Sequence, residues 1–481
     1  MKKYLSLLVI LSISILFATA AEITKELYQQ LSQNKNKIPV IQIPKYEKMV
    51  LSNGLTVYLA EDHELPVIEV TGYIKGGRMQ ETTDTAGITD FMLSMMNIGT
   101  KKMDEKTFAD YKALNGVSFG LGANVDYLTF SGNALMIDAE ALLSVMSDVM
   151  QDPNFTAPWF KRIKRNNLRG IDQSKTQDAS LLGWYYSKTL YPNHPYSFDD
   201  DLDLLGASYA AMTSEKLQAH YDATIAPNVT IMTFVGDFKI KKMKKLIVKY
   251  FETWQKKNVP IKEIKTPDIT ANFGKIILVN KPDATQAKIK MGYSFFGWDF
   301  PERIPFLIAN RIYGSGDFES RLMKKLRVEK GFVYSVYGDF NSMKSGGDYY
   351  VFTEVKPANT YETYMTVKDE MNQIKSLKTS LTAVELATMV NLYNAQFPAY
   401  YKDVSTVLDN VVFNTEIRPR GKNYLNDYIK KYNSLTADEI QTAYGKFTYP
   451  DRFVTIIIGK KEDILPQFDA NGITVEVIEI Q

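Results

Sequence analysis

The carboxylate of Asp90 and the hydroxyl of Ser94 lie within a largely apolar stretch from Gly87 to Thr100, Gly-Ile-Thr-Asp-Phe-Met-Leu-Ser-Met-Met-Asn-Ile-Gly-Thr. The stretch reads as a buried helix, because Ile88, Phe91, Met92, Met95 and Met96 recur at three- and four-residue steps and Gly99 stops the run. Metal chemistry there would need imidazole, thiolate or carboxylate donors at about 2.0–2.3 Å in tetrahedral array. Asp90 is one carboxylate where a catalytic zinc takes three protein ligands, and Leu93 and Ser94 offer nothing comparable. Asp90 and Ser94 therefore read as polar residues lining a cavity. A second pair with chemical capacity is Arg327 and Tyr334. A guanidinium and a phenol are both hydrogen-bond donors. On spacing alone, an arginine on a helix and a tyrosine opening the next strand are as readily surface and packing residues. Arg321 reads as structural, pairing with a carboxylate or capping a carbonyl.

Composition narrows the chemistry further. Cysteine is absent from the 481 residues, which excludes thiol catalysis, thiolate metal sites and disulfides. Histidine is confined to His63, His194 and His220, no two of them close enough in sequence to suggest a ligand pair, and solvated or packed roles suit them. A net charge of +2 predicts no polyanionic partner. The basic runs Lys161 to Arg169 and Lys239 to Lys249 carry apolar faces (Ile163, Leu168, Met243, Leu246, Ile247) and read as amphipathic helices rather than nucleic-acid contacts. Gly314-Ser-Gly lacks the Lys-Ser/Thr of a phosphate loop, and no Gly-Xaa-Ser-Xaa-Gly elbow occurs.

Residues 1–20 have the pattern of a signal peptide. Lys2 and Lys3 precede an apolar run from Leu5 to Phe17, and Ala18-Thr-Ala20 forms the cleavage signal. The mature chain is expected to begin at Ala21 and to be exported, to a bacterial periplasm or the extracellular space. No later stretch approaches the length of a membrane span.

A leader over 21–46, with a helical piece from Ile23 to Leu31, leads into strands at Met49–Leu51 and Leu55–Leu59 around Asn53-Gly54, a strong hairpin turn because both positions favour positive φ. Val67–Ile74 alternates as a third strand. Helices are expected at 88–98, 106–114, 139–150, 157–174, 180–190, 214–225 and 240–254, strands at 117–123, 127–134 and 229–235, and a loop over Tyr191–Tyr196. The pattern then recurs. Thr213-Ser-Glu-Lys-Leu217-Gln218-Ala-His-Tyr221 is echoed by Thr436-Ala-Asp-Glu-Ile440-Gln441-Thr-Ala-Tyr444, Pro227 by Pro450 and Gly236 by Gly459. The differences 436 − 213, 450 − 227 and 459 − 236 are all 223, and a gap-free echo of this kind indicates a duplicated domain. The expected fold class is α+β: two tandem homologous domains, 47–255 and 272–481, joined by a linker over 256–271, each an antiparallel-rich sheet covered by helices.

The Gly-aliphatic start, aromatic and Met-rich middle and Gly-Thr exit of Gly87 to Thr100, after an upstream Gly-Gly-Arg, resemble the zinc helix of the insulinase-like (pitrilysin-type) metallopeptidases. That family carries an inverted His-Xaa-Xaa-Glu-His there, and the matching positions here are Asp90, Leu93 and Ser94. Matching Phe160-Lys-Arg-Ile163-Lys164 and Leu168 places the family's third ligand, a glutamate, at Gly170. All four positions of the metal site are degenerate together. By contrast Gly314 to Leu322 and Leu326 to Val336 are similar to the family's Gly-rich turn, Ser-Arg-Leu helix start and Arg…Tyr element, with Arg327 and Tyr334 at the family's spacing.

The resemblance spans nearly all of the mature chain and implies half of a clamshell. It implies a non-catalytic, substrate-binding subunit of an exported heterodimeric zinc peptidase, in which Arg327 and Tyr334 orient the peptide. The catalytic partner would carry the intact His-Xaa-Xaa-Glu-His and the zinc. This chain would bind no cofactor or metal, show no peptidase activity alone, meet no nucleic acid and have no membrane span. The alternative is a catalytically inactive peptide-binding or scaffold protein, as a homodimer.

Overall fold

The structure is a computed structural model that describes residues 38–315 and 317–480. The expected signal peptide and the Ile23–Leu31 helix lie outside the described residues. Two six-stranded sheets are present among them. The first is ordered β1-β2-β6-β3-β5-β4, with β1 at Glu47–Val50, β2 at Thr56–Glu61, β3 at Val67–Lys75, β4 at Ser118–Ala123, β5 at Tyr127–Leu135 and β6 at Thr230–Gly236. The second is ordered β12-β7-β11-β8-β10-β9, with β7 at Ile276–Asn280, β8 at Ala287–Phe295, β9 at Val333–Ser342, β10 at Gly347–Val355, β11 at Val454–Gly459 and β12 at Glu476–Glu479. Removing the outermost strands β1 and β12 leaves one topology used twice: a parallel pair (β2 with β6, β7 with β11), then three antiparallel neighbours.

The sequence signals that predicted this repeat act locally. Thr213 and Thr436 each cap a helix, accepting from the N–H of Lys216 and Glu439. Pro227 and Pro450 each begin a short 3-10 turn, and the wholly buried strands β6 and β11 follow, ending at Gly236 and Gly459. In the Asn53-Gly54 turn Gly54 takes φ +92°, and the Asn53 amide donates to the carbonyls of Phe251 (2.7 Å) and Trp254 (3.0 Å), tying the first hairpin to the end of the Ile240–Phe251 helix. Two details differ from expectation. The Tyr191–Tyr196 loop runs into a short helix, Pro195–Phe198, because Pro195 is pre-set for a first helical turn and the His194 ring accepts the Tyr196 N–H. A further helix, Leu202–Ala210, is capped by Asp201.

Each half lends a helix to the other. The Asp178–Leu190 helix packs on β8 and β11 of the second sheet, where Ile277, Val279, Val454, Ile456 and Ile458 join the core of the first half. The Val404–Val412 helix packs on the first sheet, its Leu408 and Val412 buried with Tyr58, Ala60, Tyr73, Ile231 and Val235. The two loans are related by the same repeat: Tyr186 of one helix and Asp409 of the other stand 409 − 186 = 223 residues apart. Both sit in hydrogen bonds across the halves. Tyr186 Oη donates to Asp348 (2.9 Å), and Asp409 accepts from Thr71 (2.8 Å) and Tyr73 (2.7 Å).

Candidate functional site

The Ile88–Met96 helix begins at Gly87, whose φ of +75° and close approach to Tyr209 and Leu205 leave no room for a Cβ. Its N-terminal N–H groups are satisfied by a carboxylate from outside the helix: Glu81 accepts from Gly87 (2.8 Å) and Thr89 (3.1 Å). Glu81 is buried, and burial outweighs these hydrogen bonds to push its pKa up to about 7.

The degenerate metal positions have taken on other contacts. Asp90 receives a bidentate pair from Arg78, Nε at 2.7 Å and Nη2 at 3.0 Å. Arg78 turns its remaining nitrogen to Asp199 at 2.7 Å, so one guanidinium lies between two carboxylates. Burial opposes the Arg78 charge, but the two carboxylates overcome it and hold its pKa above the usual arginine range. Burial pushes Asp199 up to about 7 against the pull of Arg78. Leu93 is buried, Ser94 is half-buried, and Gly170 lies exposed on the adjoining Trp159–Ser174 helix, where an added Cβ would meet nothing within 4 Å. Space for a ligand side chain exists at Gly170, and the glycine supplies no donor.

None of the histidines completes a metal site. His63 bonds Asp237 (2.6 Å) and Glu61 (3.1 Å) at the surface, and His194 caps the Pro195–Phe198 helix. His220 meets Thr89 at 3.0 Å, beside the degenerate helix, with its pKa driven down to about 4 by burial and by Lys262. Among the described residues no group of three His, Asp or Glu could hold a metal ion. The donor set, one carboxylate already paired with a guanidinium, does not fit zinc.

The helix also acts on the sheet edge beside it. Asn97, just past its end, donates to the Leu121 carbonyl (3.0 Å) and accepts from the Leu121 N–H (2.9 Å), so a side chain occupies both outward pairing groups in the middle of the edge strand β4. In the second half Asn310 likewise donates to Gly338 (2.7 Å) on the edge strand β9.

Arg327 and Tyr334 are brought together. Arg327 lies in a π-helical turn, Lys324–Glu329, and Tyr334 near the start of β9. Arg327 Nη1 donates to the Tyr334 carbonyl (2.8 Å), and the guanidinium is stacked between the rings of Phe318 (4.5 Å) and Tyr334 (4.6 Å). Tyr334 is 82% exposed and Phe318 59%, so the sandwich stands in solvent. Of the five N–H donors of a guanidinium, one is spent on this contact, and among the described residues Arg327 makes no other hydrogen bond. Arg321 points elsewhere, in a bidentate pair with Glu385 (2.8 and 2.9 Å) and onto the Ser380 carbonyl (2.8 Å). Among the described residues no hydrogen bond or ring contact joins Arg327 and Tyr334 to the Asp90 cluster. The partners of that cluster, Glu81, Thr89, Asp199, Tyr209 and His220, escaped sequence reasoning, and only the upstream Gly-Gly-Arg marked Arg78 in advance.

Comparison with known proteins gives a consistent set of likenesses. The family model described as insulinase (peptidase family M16) matches residues 56–199, and the one described as peptidase M16 inactive domain matches residues 211–393. The non-peptidase homologue YmxG of Helicobacter pylori is 21% identical over 84% of this chain and 90% of its own. The peptidase M16 inactive domain of Pseudomonas fluorescens superposes with a TM-score of 0.77 at 22% identity, over 86% of this chain and 98% of that one. The periplasmic protease PqqL of Escherichia coli gives 0.72 at 16% identity, over 89% of this chain and 47% of its own.

Proposed function

The chain belongs to the insulinase family (peptidase family M16), and from that premise we propose that it is the substrate-binding subunit of an exported heterodimeric zinc peptidase. A non-catalytic member of the family is what the Asp90, Leu93, Ser94 and Gly170 positions describe. In the proposed pair, a partner with the intact His-Xaa-Xaa-Glu-His and zinc performs hydrolysis. This chain presents Arg327 and Tyr334 to the peptide backbone. The observation that carries the reading is the Arg327 sandwich: a charged donor against two exposed rings, with one hydrogen bond spent among the described residues. Preorganised donors of this kind are what a carbonyl oxygen that gains charge requires. Among the described residues no helix is long and apolar enough to cross a membrane.

A second reading is a homodimeric scaffold protein, and Asn97 favours it over the peptide-binding alternative. By occupying the Leu121 pairing groups it closes the middle of β4 to an incoming extended peptide.

Peptide cleavage and bound zinc, measured for the purified mature chain alone and mixed with a zinc-helix homologue from the same genome, separate the two. Silence alone with zinc-dependent activity on mixing supports the subunit. No gain on mixing leaves the scaffold. Stoichiometric zinc in the isolated chain would sink both.

A further inference from the structure

Some partly buried arginines are matched by acids: Arg78 lies between two carboxylates and Arg321 against Glu385. Four others, gathered in one place, are not. Arg303 opens the Arg303–Asn310 helix and Arg311 follows its last residue, while Arg418 and Arg420 come just after the π-helical turn Phe413–Ile417. None of the four lies within 4.0 Å of a carboxylate among the described residues, whereas Arg78, Arg162 and Arg321 all do. Their neighbours are rings and carbonyls. Arg418 stacks on Trp298 (4.3 Å) and reaches the Ser342 carbonyl (3.2 Å). Arg420 donates to Tyr424 Oη (3.1 Å) and the Trp298 carbonyl (2.7 Å). Arg303 lies over Phe340 (5.7 Å) and Arg311 over Tyr393 (4.8 Å). The Nε–H groups of Arg303 and Arg418 are buried with no acceptor.

Such a group is expensive to keep. An uncompensated buried charge is tolerated when something else neutralises it. Burial, helped by Arg420 and Arg303, lowers the pKa of Arg418 to about 10, so the guanidinium groups are close enough to repel one another. Asp126 and Asp299 act on this cluster only from a distance, as does Asp339, whose carboxylate accepts from the Phe340 N–H.

The spacing of the guanidinium groups sets the shape of an anion that would suit them. Arg303 and Arg311 are eight residues apart on one helix, about 12 Å along its axis and about 80° around it. That span exceeds one phosphate or one carboxylate. The cluster meets β9 at Phe340 and Ser342, while the Arg327–Tyr334 sandwich stands at the other end of the same edge strand. From Tyr334 to Ser342 an extended strand covers about 27 Å.

We propose that Arg303, Arg311, Arg418 and Arg420 form a binding site for an acidic segment of a peptide whose backbone is held at Arg327 and Tyr334. The site rests on the peptide-binding reading above and adds a substrate class to it. The selected peptides carry two or more Asp or Glu residues spaced about three to four positions apart, at a distance of about eight residues from the gripped carbonyl.

The test is capture of a random peptide pool, about fifteen residues long so as to span both sites, by the immobilised full chain, with captured peptides identified by mass spectrometry. The expected result is an enrichment of Asp and Glu of about threefold or more over the input, falling toward the input composition for R303Q/R418Q. A captured acidic peptide resynthesised with Gln for Glu provides a control independent of the variant's folding, and its affinity for the wild-type chain should fall about tenfold or more. Peptides captured without acidic enrichment overturn the site and leave the peptide-binding reading standing. No captured peptide at all overturns that reading as well, and equal affinity of the Gln peptide removes the arginines from recognition.

Discussion

Arg78 and Asp90 lie face to face in a bidentate pair, 2.7 and 3.0 Å, in the first turn of the Ile88–Met96 helix. A guanidinium thus supplies the local positive charge, and it does so from the segment just before the helix. Replacing Arg78 with Ala would leave Asp90 and Asp199 facing a partly dry space without a counterion. A loss of about 2–3 kcal/mol in urea unfolding is expected. A loss below about 0.5 kcal/mol would mean that the pair is solvated like an ordinary surface bridge.

Glu81 gives the same region a pH response. Its folded pKa of about 7 lies above the ordinary glutamate value of 4.5, so between those values the folded state holds a proton that the unfolded state has released. Its stabilising contribution is complete below pH 4.5 and is lost as pH rises through about 7. His220, lowered to about 4, contributes with the opposite slope in nearly the same window, so whole-protein curves partly cancel. The difference between wild type and Glu81→Gln isolates the carboxylate. Relative to the variant, the wild type should lose on the order of 1–3 kcal/mol between pH 4.5 and 7.5. A flat difference would show that Glu81 keeps an ordinary pKa.

Arg327→Ala removes the centre of the exposed sandwich. In the assembled pair, loss of one preorganised donor should slow cleavage on the order of a hundredfold or more. The unfolding free energy of the isolated chain should change by less than about 0.5 kcal/mol, as befits a surface site. An unchanged rate removes Arg327 from the mechanism.

The lent helices are tied by hydrogen bonds that can be cut one at a time without changing shape. Tyr186→Phe leaves the buried Asp348 with only its Asn341 contact at 2.9 Å and should cost about 1–3 kcal/mol. Tyr73→Phe, at the other loan, leaves Asp409 its Thr71 partner and should cost less, about 0.5–1.5 kcal/mol. Equal and negligible effects would show that apolar burial alone holds the helices.

Much of this architecture is legible in the chain because its signals are local. The period of Ile88, Phe91, Met92, Met95 and Met96, the Asn53-Gly54 turn and the capping threonines at 213 and 436 all act within a few residues, and the repeat of 223 doubles their weight. Arg321 could be assigned a structural pairing, and it has one with Glu385. What the sequence hides is long-range. Nothing near Glu81 announces that its carboxylate caps a helix beginning at Gly87, and nothing near Asp199 or His220 places them beside Asp90 or Thr89. The Leu202–Ala210 helix had a readable start, since Asp201 accepts from the N–H groups of Asp203 and Leu204, but it is short and follows a run of aspartates.

The exchange of helices also sets an order of events during synthesis. The face of the first sheet carrying Tyr58, Ala60, Tyr73, Ile231 and Val235 is covered by a helix that ends at Val412, so that face stays bare until most of the chain has left the ribosome. Stalled nascent chains ending before Val404 should be digested readily in pulse proteolysis, and chains extended well past Val412 should resist. The duplication therefore did not yield two independent folding units in series: the earlier copy waits, unfinished, for the later one.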